Sequence, residues 1–237
     1  MAISVDRVYR KVLAILNKES RGFLTPDEFS KIGSQAQLDL LDKAFHDYNR
    51  AVTKQSVGRT GQGYADITKK LQDRIDPFYA LEIVTLTSGV GTLPTFYNIV
   101  NVSKEKDRLI QLERVEKSKL SFLLSSPLTA PSTTFPIYYI TGSNITVNPS
   151  SFTQVHIDYI SVPPDPVWAS TVDANGALTF DSTGASGVSF VDFTLHPSSE
   201  VDLILEILRY VGVTIKDPSV IQSAMAETNQ KIQLENQ

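Results

Sequence analysis

Three histidines, no cysteine and a scatter of acidic side chains bound the chemistry open to this 237-residue chain. The lack of cysteine removes disulfides, iron–sulfur clusters, thiolate zinc sites and a cysteine nucleophile together. His46-Asp47 has the form of the central pair of a metal-dependent phosphohydrolase. That chemistry needs two or more further His or Asp ligands, and only His156 and His196 remain. Beside Phe45 on an amphipathic pattern, His46 reads as a surface or partly buried helix residue. Gly58-Arg59-Thr60-Gly61-Gln62-Gly63 has the glycine density of a phosphate loop. It lacks the Gly-Lys-Ser/Thr ending and lies between helices rather than after a strand, so it reads as an exposed loop.

Serines are plentiful enough for a Ser–His–Asp triad, yet no Gly-x-Ser-x-Gly elbow presents one on a strand-to-helix turn. Asp158, Asp165 and Asp192 pair as carboxylates only if folding brings them together. His156 alternates with apolar positions and reads as part of a solvated sheet face. His196 precedes Pro197 at a strand-to-helix corner, where local hydrogen bonding is its expected role. Trp168, after three prolines, reads as a packing anchor. No catalytic residue, cofactor-binding residue or metal ligand is assigned, no cofactor is expected, and the chain reads as non-enzymatic.

Composition places these residues in an ordinary core-forming protein: 41% hydrophobic, 20% charged, net charge −4. A mild acidic excess argues against dedicated nucleic-acid binding, which requires clustered Lys and Arg. The first sixteen residues (MAISVDRVYRKVLAIL) carry Asp6, Arg7, Arg10 and Lys11. They lack the unbroken apolar core of a signal peptide. No apolar run nears the roughly 20 residues of a membrane span. The expectation is a protein made in the cytoplasm and not inserted in a membrane.

The fold class expected is α+β: an N-terminal helical hairpin and C-terminal helices packed with a central antiparallel β domain. The boundaries are 1–80 for the helical region, 81–196 for the β-rich domain, and 197–237 for the C-terminal helices and a partner-binding arm. Val5, Val8, Val12, Ile15 and Leu16 recur at helical spacing. Thr25-Pro26-Asp27-Glu28 then opens a second helix with a capping box, followed by Phe29, Ile32, Ala36, Leu40, Leu41, Ala44, Phe45, Tyr48 and Val52. The two helices are expected to pair antiparallel. Gln55–Tyr64 reads as a loop, and Ile67, Leu71 and Ile75 as a short helix stopped by Asp76-Pro77.

From Glu82 to Leu195 the period falls toward 2. Strands are predicted at Glu82–Thr87, Asn98–Val102, Leu109–Val115, Ile137–Ile140, Ile145–Val147 and Val155–Ile160. A helical insert is predicted at Glu116–Leu124, and a hairpin or loop at Val172–Gly187. Pro197-Ser198-Ser199-Glu200 caps a helix over Val201–Ile215 that is apolar on nearly every side and must be buried. Asp217-Pro218 caps a last, polar helix with a thin stripe of Ile221, Ala224/Met225, Thr228 and Ile232.

In order and spacing, Leu93-Pro94, Pro136-Ile137-Tyr138-Tyr139, Ile145-Thr146-Val147-Asn148-Pro149 and Asp158-Tyr159-Ile160-Ser161-Val162-Pro163 follow a recognisable pattern. The corner Leu195-His196-Pro197 then feeds the C-terminal helix. The chain so read resembles the head-to-tail adaptor (connector or ring) proteins of short-tailed and crAss-like bacteriophages. The family carries no catalytic residues.

The resemblance implies a virion structural protein at the head–tail interface, made in the host cytoplasm. Copies would form a homo-oligomeric ring, commonly of about twelve, below the portal protein. The ring would extend the DNA channel, let genomic DNA pass without sequence-specific binding, and dock the next tail or ring protein. Val201–Ile215 is then a candidate for packing against a neighbouring copy. Pro218, Ile221, Met225 and Ile232 are the candidate portal-binding positions on an arm that orders on its partner. The alternative expectation is another virion module: a tail fibre, receptor-binding or decoration protein.

Overall fold

The computed structural model describes residues 2–18, 24–56, 67–104, 110–173, 176, 178–214, 222–223, 225–227 and 229–230. In chain order the elements are α1 (Val5–Lys18), α2 (Pro26–Ser56), α3 (Ile67–Ile75), β1 (Tyr79–Thr85), β2 (Val90–Thr92), β3 (Phe96–Ser103) and β4 (Glu113–Arg114). There follow α4 (Leu120–Ser125), β5 (Ile137–Thr141), β6 (Asn144–Asn148), β7 (Gln154–Ser161), β8 (Ser170–Val172), β9 (Leu178–Phe180) and α5 (Glu200–Thr214). The class is α+β. The chain divides into two compact units, Met1–Pro77 with Pro163–Gln237, and Phe78–Val162. Residues 163–196, read from sequence as part of the β-rich domain, therefore group with the helices. No described helix is long and apolar enough to cross a membrane.

In the first unit, Val5, Val8, Val12 and Leu16 of α1 are buried at helical spacing, while Ile15 stands 41% exposed outside the stripe. The free amide at the start of α1 is capped from far away in sequence, by Asp192 Oδ1 accepting from Val5 N at 2.9 Å. The capping box of α2 forms as its spacing predicts. Thr25 N donates to Glu28 Oε2 at 3.0 Å, and Glu28 N donates to Thr25 Oγ1 at 3.3 Å.

α1 meets the start of α2 through Tyr9, whose ring lies 4.9 Å from that of Phe29 and whose hydroxyl donates to Leu24 O at 2.9 Å. α2 packs chiefly on α3 and α5, and α1 packs on α5. The apolar face of α5 explains this, since Leu203, Ile207, Leu208 and Val211 fill the core that both helices need. Those four side chains are buried within this chain, while Val201 stands 63% exposed at the start of the helix. The α5 N-terminus is also built differently from its predicted serine cap. His196 Nδ1 accepts from Ser198 N at 3.2 Å ahead of a 3-10 turn, and Ser199 is buried.

An aromatic chain runs through the same unit: Tyr9 lies 4.9 Å from Phe29 and 4.5 Å from Trp168, ring to ring. Phe29 meets Phe193 edge-on at 6.2 Å, and Phe180 lies 5.9 Å from Trp168. Gly33 permits this approach, because a Cβ there would sit 3.1 Å from the Phe193 ring. Trp168 is thus the packing anchor expected of it, buried and donating Nε1–H to Asp6 at 3.1 Å. β8 and β9 form the hairpin of the glycine- and serine-rich stretch.

The second unit is a pair of sheets sharing one core. Strands β1-β7-β3 make one sheet and β2-β6-β5-β4 the other. Ile99, Val102, Val84, Val155, Ile157 and Tyr159 of the first face Tyr138, Ile145 and Val147 of the second. Residues 87–90 carry the chain from one sheet to the other in a two-residue turn. Thr87 and Val90 exchange both backbone bonds, and Ser88 and Gly89 have φ of 53° and 80°. Gly142, at φ 60°, turns β5 into β6.

Two strand readings change here. Of the predicted strand Leu109–Val115 only β4 is regular, paired parallel to β5, with single bonds from Leu112 to Val102 and from Lys104 to Ile110. β7 was read as having one wet face; Val155 to Ile160 are all buried. Its central place between β1 and β3 puts neighbouring side chains beside it on both faces.

Candidate interaction surfaces

The residues singled out for chemistry lie apart or are engaged locally. His46 is exposed on α2. His196 is held by its own cap, with Nδ1 2.8 Å from Ser198 Oγ. Asp192 caps α1, Asp165 accepts from Ser34 Oγ, and Asp158 lies buried in β7. His156, expected to be solvated, is 6% exposed, and its Nδ1 is buried without a hydrogen-bond partner among the described residues. No group of three or more His, Asp or Glu suited to a metal ion occurs among the described residues. The phosphate-loop lookalike 58–63 lies outside the described residues. So do Pro218, Ile221 and Ile232 of the candidate arm; Met225 is described, helical and 47% exposed.

What the structure brings together instead are exposed apolar surfaces. Antiparallel register puts Tyr79, Leu81 and Ile83 of β1 on one face with Ile160, Asp158 and His156 of β7. β3 reaches the same face through Asn98, Asn101 and Ser103, opposite those β7 residues. Register shifts beside Asn98 and Asn101 add Tyr97 and Val100 as bulged positions. This is the face turned away from the shared core. Leu81 and Ile83 are each 52% exposed and Val100 56%, with Tyr79 and Tyr97 near 40% at the ends. Two apolar rows therefore flank a buried floor.

A second surface follows from the parallel pairing of β4 and β5. Parallel neighbours need a crossover, which here is the arm of residues 115–136. Neither its 3-10 turn (Lys117–Lys119) nor α4 holds a buried residue. Its side-chain hydrogen bonds stay local, such as Ser125 Oγ to Phe122 O at 2.8 Å and Thr129 Oγ1 to Leu123 O at 3.1 Å. Phe122 is 76% exposed, Leu128 94% and Phe135 78%.

A third feature, in the helical unit, is an open cleft of about 540 Å³ lined by Tyr9, Arg10, Leu13, Trp168, Thr179 and Phe180. Its aromatic wall is fixed by Asp6, which accepts from both Trp168 Nε1 and Arg10 Nε. Two pKa shifts follow from packing in the β unit. Burial raises Tyr138 above the ordinary tyrosine value; burial and then the bond to Glu82 raise Tyr159.

The sequence pass missed the sheet face and the arm. A signal existed for the arm: Leu128 and Phe135 sit among Pro, Ser and Thr, where no helix or strand period buries them. The sheet face had none, since Ile83 and Val100 read like any strand interior and Leu81 lies just ahead of the predicted strand. No protein-family model matches the chain, and comparison with curated proteins finds no match.

Proposed function

We propose that this chain is a virion structural protein, the subunit of a head-to-tail adaptor ring. About twelve copies would stand below a portal protein, extend the DNA channel and dock the next tail component. One observation carries the reading: a small β unit exposes Leu81, Ile83 and Val100 on one sheet face and Phe122, Leu128 and Phe135 on its crossover arm. Exposed apolar patches of this kind mark interaction surfaces, which suits a part of an assembly. The order of Leu-Pro, Pro-x-Tyr, Asn-Pro and Tyr-containing strand phrases, leading into a capped C-terminal helix, supports an adaptor ring as the kind of assembly.

The mechanism is mechanical: a head-to-tail contact repeated around an axis closes a ring. A mildly acidic wall repels phosphate, so DNA slides through without capture. Residues 217–237 supply the portal-binding arm.

Electron microscopy of the purified protein, alone and with portal, tests the reading. A closed ring of about twelve copies is expected. A trimer would instead indicate a fibre, and a monomer with measurable turnover an enzyme. Deleting residues from Asp217 onward is expected to abolish attachment to portal-bearing heads, and unchanged attachment would sink the arm assignment.

A further inference from the structure

We propose that the crossover arm 116–135 of one copy docks on the Leu81/Ile83/Val100 face of the β unit of a second copy. The inference rests on the reading of the chain as a self-assembling subunit, and it names the surfaces that make the contact. Both belong to the same unit of one chain, so every copy brings a donor and an acceptor.

The area agrees. Phe122 is 76% exposed, Leu124 50%, Leu128 94% and Phe135 78% on the arm. On the face, Leu81 and Ile83 are 52% exposed, Val100 56%, Tyr79 42% and Tyr97 41%. At roughly 150–250 Å² for an aromatic residue and somewhat less for Leu, Ile or Val, these fractions amount to about 1,000 Å² of mostly apolar surface. A standard interface buries about 1,600 Å² in total, of which roughly 60% is apolar. The two patches together meet that requirement, and either alone falls well short.

Shape agrees too. The arm protrudes as the crossover between parallel strands, with no buried residue in its helical turns. The face is two apolar rows beside a floor of Ile160, Asp158 and His156, which are all buried. At its start the arm carries Glu116, Lys117 and Lys119, with Lys119 Nζ 3.5 Å from Glu116 Oε2. Among the described residues the polar positions of the face are Thr85, Gln154, Asn98, Asn101, Ser103, His156 and the buried Asp158. Because donor and acceptor differ, the contact is head-to-tail, the kind that propagates around a ring.

The cysteine-free chain permits a clean test. Leu128→Cys and Val100→Cys are made singly, mixed, and treated with a short bismaleimide. Covalent dimers are expected in the mixture and in neither variant alone, with a ladder when one chain carries both. Strong cross-linking of Leu128→Cys alone would mean that arm meets arm and would overturn the proposal. In parallel, light scattering compares the native chain with Phe122→Asp/Leu128→Asp. Both positions are exposed, so far-UV circular dichroism and Trp168 fluorescence should stay unchanged while self-association weakens by about 100-fold. A native chain that assembles and a double variant that assembles equally well would overturn the arm contact and leave the ring reading standing. A native chain that stays monomeric at high concentration would overturn both.

Discussion

Gln37 Oε1 accepts the backbone N–H of Thr194 at 3.0 Å, joining positions 157 apart in sequence. The same side chain donates Nε2–H to Pro164 O at 3.1 Å. Gln37 is 1% exposed, so one amide on α2 satisfies two backbone groups from the segment that returns after the β unit. It pairs two backbone groups that lie outside any strand.

Gln37→Leu should therefore destabilise the helical unit by about 2–4 kcal/mol, because two backbone groups lose their partner at roughly 1–3 kcal/mol each. Trp168 is the chain's single tryptophan and lies in that unit, so urea titration followed by its fluorescence reads the loss. A change under about 0.5 kcal/mol, within ordinary surface variation, would show that water replaces the amide without cost.

Gly89 and Gly142 both have positive φ, yet substitution should separate them. A Cβ on Gly89 would lie 2.8 Å from Val147 O, whereas one on Gly142 meets nothing within 4 Å. Gly142→Ala bears only the left-handed backbone penalty of about 1 kcal/mol. Gly89→Ala adds a clash with backbone and should cost about 2–4 kcal/mol. Gly89 O also accepts from Val147 N at 2.8 Å, so amide exchange at Val147 is the sensitive probe. Equal protection in the two variants would contradict the clash.

Glu200 joins α5 to α1. Its Oε2 lies 2.7 Å from Arg7 Nη2 and its Oε1 2.6 Å from Lys11 Nζ. It also stands in the first turn of α5, where negative charge suits the helix dipole. The cations are about half exposed, so Glu200→Gln should cost only about 1 kcal/mol. Most of that should vanish in 1 M salt, where the screening length falls to about 3 Å. A cost independent of salt would mean packing, rather than charge, holds the two helices.

How much of this was legible before folding depends on the range of the signal. The capping box Thr25–Glu28 and the turn at Gly142 are written in adjacent residues, and α2 and the β5–β6 hairpin follow from them. Choice of partner is written nowhere locally. Val5, Val8 and Val12 state that α1 has a face to bury, and not that α5, some 190 positions later, supplies the cover. β7 shows the same limit: His156 and Asp158 advertise a wet face, and the flanking strands bury it. The candidate surfaces fail for the converse reason. Leu81 and Val84 are equally apolar in sequence, but only Val84 meets the second sheet. Hydrophobicity records the gain from burial and is silent about which chain provides it.

Asp181 gives the helical unit a defined acid response. Oδ2 accepts from Ser186 N at 2.7 Å, while Oδ1 accepts from Thr183 N, Thr183 Oγ1 and Gly184 N at 2.9 Å each. These bonds, the Ser186 amide foremost, outweigh burial and hold the carboxyl well below the usual carboxylate range. The folded-state value is thus depressed below the unfolded value of about 3.9. The unfolded state binds the proton more readily, so the contribution is fully present above about pH 4 and is lost as pH falls through the folded value. Asp181→Asn should remove it at neutral pH, since an amide nitrogen turned toward one of these donors cannot accept. Exchange protection at Thr183, Gly184 and Ser186 should drop in the variant at pH 6. Near pH 3 the native loop should still be protected, and below that the two proteins should converge. Native protection that disappears already around pH 4 would mean that the carboxyl titrates like a solvent-exposed one and does not organise the loop.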